Sequence, residues 1–151
     1  MELADLHSSL NPKLEDIAGL DDIIKVHYSY YRYDRYGDST KHTDVELTWG
    51  EIFSAIAPQL SRPVTPPVLE SALERWINEK KHNAQSIDVK STDMDVIKIQ
   101  LIAMGLIKSY TAPATTGGVS EWLQLTEVGE RTMLELLAIR RTRKQEANKI
   151  D

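Results

Sequence analysis

Apolar residues recur along this chain in two different periods. Residues 23–33, IIKVHYSYYRY, alternate: Ile24, Val26, Tyr28 and Tyr30 share one face, and His27, Ser29, Tyr31 and Tyr33 share the other. Period two in β-branched and aromatic residues predicts a strand. Val45, Leu47 and Trp49 alternate again, so residues 23–49 read as a β-hairpin closed by the long polar loop DRYGDSTKHT. Residues 1–22 carry only a weak pattern, broken by Pro12 and Gly19, and read as an N-terminal arm.

From Trp49 onward the period lengthens to that of a helix. Thr48-Trp49-Gly50-Glu51 is a capping box, and Ile52, Phe53, Ile56, Ala57 and Leu60 follow at helical spacing, predicting a helix over 49–60. Thr65 before Pro66-Pro67 starts a second helix, 66–82, whose stripe is Leu69, Ala72, Leu73, Trp76 and Ile77. Residues 83–90 read as a connector with Ile87 and Val89 as anchors. A third helix spans 92–104, with Asp93 and Asp95 in its first turn, where carboxylates favour the dipole. Met94, Ile97, Leu101 and Met104 form its stripe. Val96, Ile99 and Ile102 widen that stripe, which predicts burial over much of the circumference. Gly105 stops the helix.

Alternation then returns through Leu106, Lys108 and Tyr110, with Gly117-Gly118 in a loop and Trp122, Leu123 and Leu125 on a returning strand, so 106–125 is a second hairpin. Thr126 opens a last amphipathic helix, 127–147. No internal repeat and no Gly/Ser linker divides 23–151, which reads as a single α+β domain.

Three helices followed by a hairpin and a closing helix resemble the winged-helix (winged helix-turn-helix) superfamily. The words that carry the resemblance are IQLIAMGLI, where a recognition-type helix meets the first wing strand, and WLQLTEVGERTMLELL, where the second wing strand meets the closing helix. The stretch that holds them, 91–141, covers about a third of the chain. The resemblance implies a three-helix core, a C-terminal β-wing and a closing helix, here with an extra N-terminal β-hairpin. YSYYRYDRYGD and ELTWGEIFSAIAPQL are less usual in that superfamily. With the end of the chain, they look like the C-terminal region of uncharacterised bacterial proteins that carry a TIR-like domain in front. That second resemblance implies an accessory module of a larger bacterial system.

Charge changes what the fold would otherwise suggest. Net charge is −5, with eleven acids against five bases over residues 1–51 and a tail from Arg140 that is net +3. A winged helix that reads DNA sets the outer face of its third helix in the major groove and its wing along the phosphates. Phosphate contacts need cations. The cations and donors available for such a role are Lys90, Lys98, Gln100, Lys108, Arg140 and Arg141. Asp93 and Asp95 oppose that role, and the wing sequence APATTGGVSE holds no lysine or arginine. The tyrosine-rich hairpin offers another surface, with Tyr31, Tyr33, Arg35 and Tyr36 as candidate contact residues for a protein partner.

Chemistry of other kinds finds no support. The chain has no cysteine, and His7, His27, His42 and His82 are scattered, without a helical ligand pair. No P-loop, dinucleotide fingerprint or nucleophile elbow occurs. No enzyme, cofactor or metal site is therefore expected. No apolar run approaches the roughly 20 residues that span a bilayer, and MELADLHSSL lacks the basic flank and apolar segment of a signal peptide, so a cytoplasmic protein without a membrane partner is expected. The leading expectation is a non-catalytic interaction, oligomerisation or regulatory module. The alternative is a DNA-binding transcriptional regulator using helix 92–104 and the 106–125 wing.

Overall fold

The computed structural model describes residues 17–35, 37–82, 86–139 and 141. Strands β1 (Ile23–Asp34) and β2 (Gly37–Thr48) pair antiparallel from Ile23 opposite Thr48 to Asp34 opposite Gly37. The hairpin keeps nearly the expected bounds, but its strands are longer and its loop far shorter than the sequence suggests. The segment expected as a loop lies mostly in the strands, because backbone pairing continues past the helical layer. There both faces meet solvent, so no apolar alternation marks the strand. Gly37 takes φ +117, and with no Cβ it can close the tight turn.

Helix α1 (Trp49–Ile56) starts at the predicted capping box: the Glu51 amide donates to Thr48 Oγ1 at 3.1 Å, and the Thr48 amide donates to Glu51 Oε1 at 2.9 Å. It tightens into a 3-10 turn, Ala57–Ser61. Helix α2 (Pro66–Ile77) widens into a π turn at Asn78–His82. Residues expected only as a connector then form strand β3 (Ser86–Val89), which joins β1 on the side away from β2 and gives the order β2-β1-β3. Ile87 and Val89 are its buried pair. Two apolar positions in four residues are too few to show a period, which is why the strand is hidden in the sequence.

Helix α3 (Ser91–Ala103) leads through Gly105, at φ +76, into β4 (Ile107–Pro113) and β5 (Val119–Leu125), which form the antiparallel wing. Val64 pairs with Leu123, so the α1–α2 connection is stitched to the wing's inner strand. Helix α4 (Glu127–Leu137) closes the domain. It was expected to reach 147, but Ala138 is already extended. Leu134, Leu136 and Leu137 at its end are exposed, and residues 140 and 142–147 of the expected helix lie outside the described residues. Helices α1–α3, the wing and α4 make an α+β winged helix with an added N-terminal hairpin.

The core is continuous. Val26 and Tyr28 of β1, Val45 and Leu47 of β2, and Ile87 and Val89 of β3 face Ile52, Phe53 and Ile56 of α1, Leu69, Leu73 and Ile77 of α2, and Ile97 and Leu101 of α3. Leu106, Ile107, Leu123 and Leu125 bring the wing into the same core. Such apolar burial, at roughly 25 cal/mol per Å², drives the assembly.

Gly105 before the wing and Gly129 within α4 set the position of that helix. Thr126 caps α4, accepting from the Gly129 amide at 2.9 Å, and the Thr126 hydroxyl donates to the Gly105 carbonyl. The Thr126 amide donates to the Leu106 carbonyl at 3.0 Å. A Cβ on Gly129 would stand 1.9 Å from that same carbonyl oxygen. The Leu-Thr-x-x-Gly word of the sequence is therefore a lock: it fastens the start of α4 to the end of α3, where the wing begins.

Candidate interaction surface

Helix α3 stands just before the wing, and one side of it faces away from the core. Met94, Ile97 and Leu101 point into the core, with Ile97 and Leu101 fully buried. Val96, Ile99 and Ile102, expected to widen the buried stripe, are instead 50%, 62% and 38% exposed. The correction has a simple cause. A helix packed through one side buries only that side, and here the side that joins the core is that of Met94, Ile97 and Leu101. Thr92, Asp95, Val96, Ile99, Ile102 and Ala103 recur at helical spacing along the other side, all exposed. An outward stripe that is apolar in the middle and acidic at one end is what α3 presents.

The residues proposed for DNA contact are used differently. Lys98 Nζ bridges the Glu121 carboxylate of β5 at 3.0 and 3.2 Å. The Ser109 hydroxyl donates to the same carboxylate at 2.6 Å. Those contacts, Ser109's first and Lys98's second, hold the Glu121 carboxyl below its ordinary range. Gln100 donates to the Ala18 carbonyl at 3.1 Å, tying the segment before β1 to α3. Lys98 and Gln100 are thus spent on holding α3, the wing and the N-terminal approach together. Lys90 and Lys108 are exposed, one just before α3 and one at the start of β4. Arg141 is exposed, and Arg140 lies outside the described residues.

Asp93 was expected to act on the helix dipole. It does more, because its carboxylate reaches out of α3 to β1. The His27 amide donates to Asp93 Oδ2 at 2.7 Å, and His27 Nδ1 lies 2.9 Å from the same oxygen. The Lys90 amide donates to the His27 carbonyl at 2.8 Å. The first turn of α3 is thus anchored to the hairpin. We expect Asp93→Ala to cost about 1–2 kcal/mol by urea denaturation, and Asp95→Ala less than about 0.5 kcal/mol, since Asp95 is exposed on the outward stripe.

On the hairpin, Tyr33 is 73% exposed and Arg35 is exposed at the turn, while Tyr31 is half-buried and already engaged in contacts of its own. Tyr36 lies outside the described residues. Tyr28 and Tyr30 serve the interior. Tyr28 is hydrogen-bonded to His82 Nε2, and Tyr30 stacks on the His82 ring at 4.1 Å between centroids. Burial, then the neighbouring Tyr30 and Asp44, push the Tyr28 phenol above its ordinary value. These contacts pin the π turn after α2 to the sheet. The sheet's outer surface carries an open groove of about 470 Å³ lined by His27, Ser29, His42, Asp88 and Lys90. Its charges are of both signs, and among the described residues no three His, Asp or Glu side chains gather to hold a metal ion.

Glu74 of α2 protects the free edge of β3, accepting the Val89 amide at 2.9 Å. Burial raises its carboxyl to about 7 against the lowering effect of that hydrogen bond, and the nearby charges of Glu70 and Asp88 add to the rise. A group whose folded value lies above its unfolded value of 4.5 binds a proton on folding. Its stabilising contribution is therefore complete below pH 4.5 and is lost as pH rises through about 7. Partial exposure screens the effect, which leaves about 1–2 kcal/mol. We expect Glu74→Gln to match the wild type near pH 5 and to exceed it by that amount at pH 8, measured by denaturant titration at both values.

No protein-family model matches this chain, and no curated protein matches it. Among solved structures, it is similar to Bacillus subtilis PadR in complex with operator DNA, at 17% identity and a TM-score of 0.41. The match covers 66% of this chain and 58% of that one, so the chain spans less than two thirds of the solved protein's length. The likeness assigns no residue a role. Among the described residues, no helix is long and apolar enough to cross a membrane.

Proposed function

We propose that this chain is a non-catalytic winged-helix module whose working surface is the outward face of α3, and that this face contacts protein. The observation that carries the reading is the Val96–Ile99–Ile102 stripe. A recognition helix that enters a major groove needs donors and cations toward base edges and phosphates. Here those positions hold aliphatic side chains and Asp95, while Lys98 and Gln100 are turned to structural use. Exposed aliphatic clusters framed by polar residues mark protein contacts. The exposed hairpin tip, with Tyr33 and Arg35, would extend the same kind of surface. A place as an accessory module beside a TIR-like domain rests on the sequence resemblance of the hairpin and α1.

A second reading is DNA binding through α3 and the wing. It draws on the winged-helix arrangement itself and on Lys90 and Lys108, which stand exposed at opposite ends of α3. Titration of fluorescent duplex DNA in roughly 50 mM salt separates the two, because phosphate-driven binding is strongest there. Protein contact predicts no saturable binding and no change in the Lys90→Ala, Lys108→Ala double variant. Salt-dependent binding that this double variant loses would establish the second reading instead.

A further inference from the structure

A side chain of α2 completes the outer edge of β3. The Lys90 amide donates to the His27 carbonyl at 2.8 Å, one step beyond the β1–β3 register that sets Tyr28 opposite Val89. Amides of neighbouring residues in a strand point to opposite sides, so the Val89 amide faces away from β1. Glu74 Oε2 accepts it there at 2.9 Å. We propose that Glu74 is a proton-operated latch, which holds the outer edge of β3 while a proton is shared between it and Glu70 and releases that edge when the proton leaves. The released edge offers its backbone groups to water or to another strand.

The surroundings of Glu74 give the latch its sense. Glu70 stands one helical turn earlier on α2, and its side chain is hydrogen-bonded to the Glu74 carboxyl. Two ionised carboxylates are both acceptors, so this contact exists only while one of them keeps a proton. Asp88, beside Val89 on β3, adds a second negative charge. On the α3 side, Asp95 and Lys98 line a small cavity with Glu70, and Lys98 is committed to Glu121. Ile52 and Phe53 of α1 and Leu123 of β5 add only apolar groups to the core that α2 shares. A half-buried carboxylate between two acids loses hydration and gains repulsion when it ionises.

The sign follows from linkage. The held carboxyl titrates at about 7, and once swung into solvent it returns toward 4.5. Holding the edge therefore takes up a proton. The latch is tightest below pH 4.5 and loosens as pH rises through about 7. With the exposure of the site screening the effect, the open fraction should rise about five- to thirty-fold between pH 5 and pH 8.

Amide exchange followed by NMR on the full chain, corrected for intrinsic rates, tests the latch. Val89 should exchange by a local opening that low urea leaves unchanged, whereas Ile97, in the middle of α3, should need the global unfolding that urea promotes. In the wild type, Val89 protection should fall about five- to thirty-fold from pH 5 to pH 8. Glu74→Gln keeps a carbonyl for the Val89 amide and cannot ionise, so its Val89 protection should be the same at both pH values. Glu70→Gln removes the charge and the shared proton, and the fall should be smaller than in the wild type. Val89 protection that is independent of pH in the wild type overturns the proposal. So does a fall that persists in Glu74→Gln, or a fall in Glu70→Gln as steep as in the wild type. A Val89 rate that rises with urea as steeply as that of Ile97 overturns it too, since the edge would then open only with the whole domain.

Discussion

Gly129→Ala is expected to destabilise the domain by about 3 kcal/mol or more, a shift of roughly 10 °C in Tm for a chain of this size. The added methyl would stand 1.9 Å from the Leu106 carbonyl oxygen and 2.8 Å from its carbon. Both atoms are backbone, at the point where α3 turns into β4, and the oxygen is already held by the Thr126 amide. No rotamer change relieves such a clash. Either α4 lifts away or the α3–β4 corner shifts, and both movements open the core near Leu106 and Ile107. Gly118→Ala is the proper contrast. Its position has φ +74 but open space around a Cβ, so it should cost about 1 kcal/mol from backbone strain alone. Thermal melts of the two variants beside the wild type measure the difference.

The second large effect separates the two faces of α3. Ile97→Ala is expected to cost about 2–5 kcal/mol, since the side chain is fully buried and its loss leaves a cavity in the core. Ile99→Ala, two residues along and 62% exposed, should stay within about 0.5 kcal/mol of the wild type. Alanine's higher helix propensity offsets part of what the lost side chain contributed. Equal costs at both positions, measured by urea denaturation of dilute protein, would mean that Ile99 is core and that the outward surface described above does not exist.

The same two residues show what the sequence can and cannot say. Spacing alone makes Met94, Ile97 and Leu101 a core stripe, and the structure agrees. Val96, Ile99 and Ile102 have equal apolar character, so periodicity assigns them to the interior too. Hydrophobicity records that a side chain avoids water and is silent on what covers it. Lys98 and Gln100 mislead in the opposite way. Both read as free polar residues, because Glu121 lies 23 residues away and the Ala18 carbonyl 82 residues away. Capping residues fare better because their partners are local: Thr48 with Glu51 and Thr126 with Gly129 act within three residues. Gly129 is visible as part of the Leu-Thr-x-x-Gly word. Its reason, a backbone passing at van der Waals distance, exists only in three dimensions.

The hairpin follows the same logic. Its inner face was legible because Val26, Tyr28, Val45 and Leu47 alternate against a buried layer. The strands continue past residue 31 with polar residues on both sides, and nothing in their order distinguishes a solvated ribbon from a loop. Strand β3 is short enough that the Val89 amide needs a carboxylate, Glu74, in place of a further strand. A helix residue thus completes a sheet edge, and local patterns hold no sign of it.

What covers Ile99 is the question on which the account turns, and thiol labelling answers it most directly. The chain has no cysteine, so an Ile99→Cys variant carries a single reactive group. Its labelling rate should be close to that of a free thiol and be unaffected by duplex DNA in roughly 50 mM salt. Protection by DNA at low salt would contradict the account and make α3 a groove-reading helix.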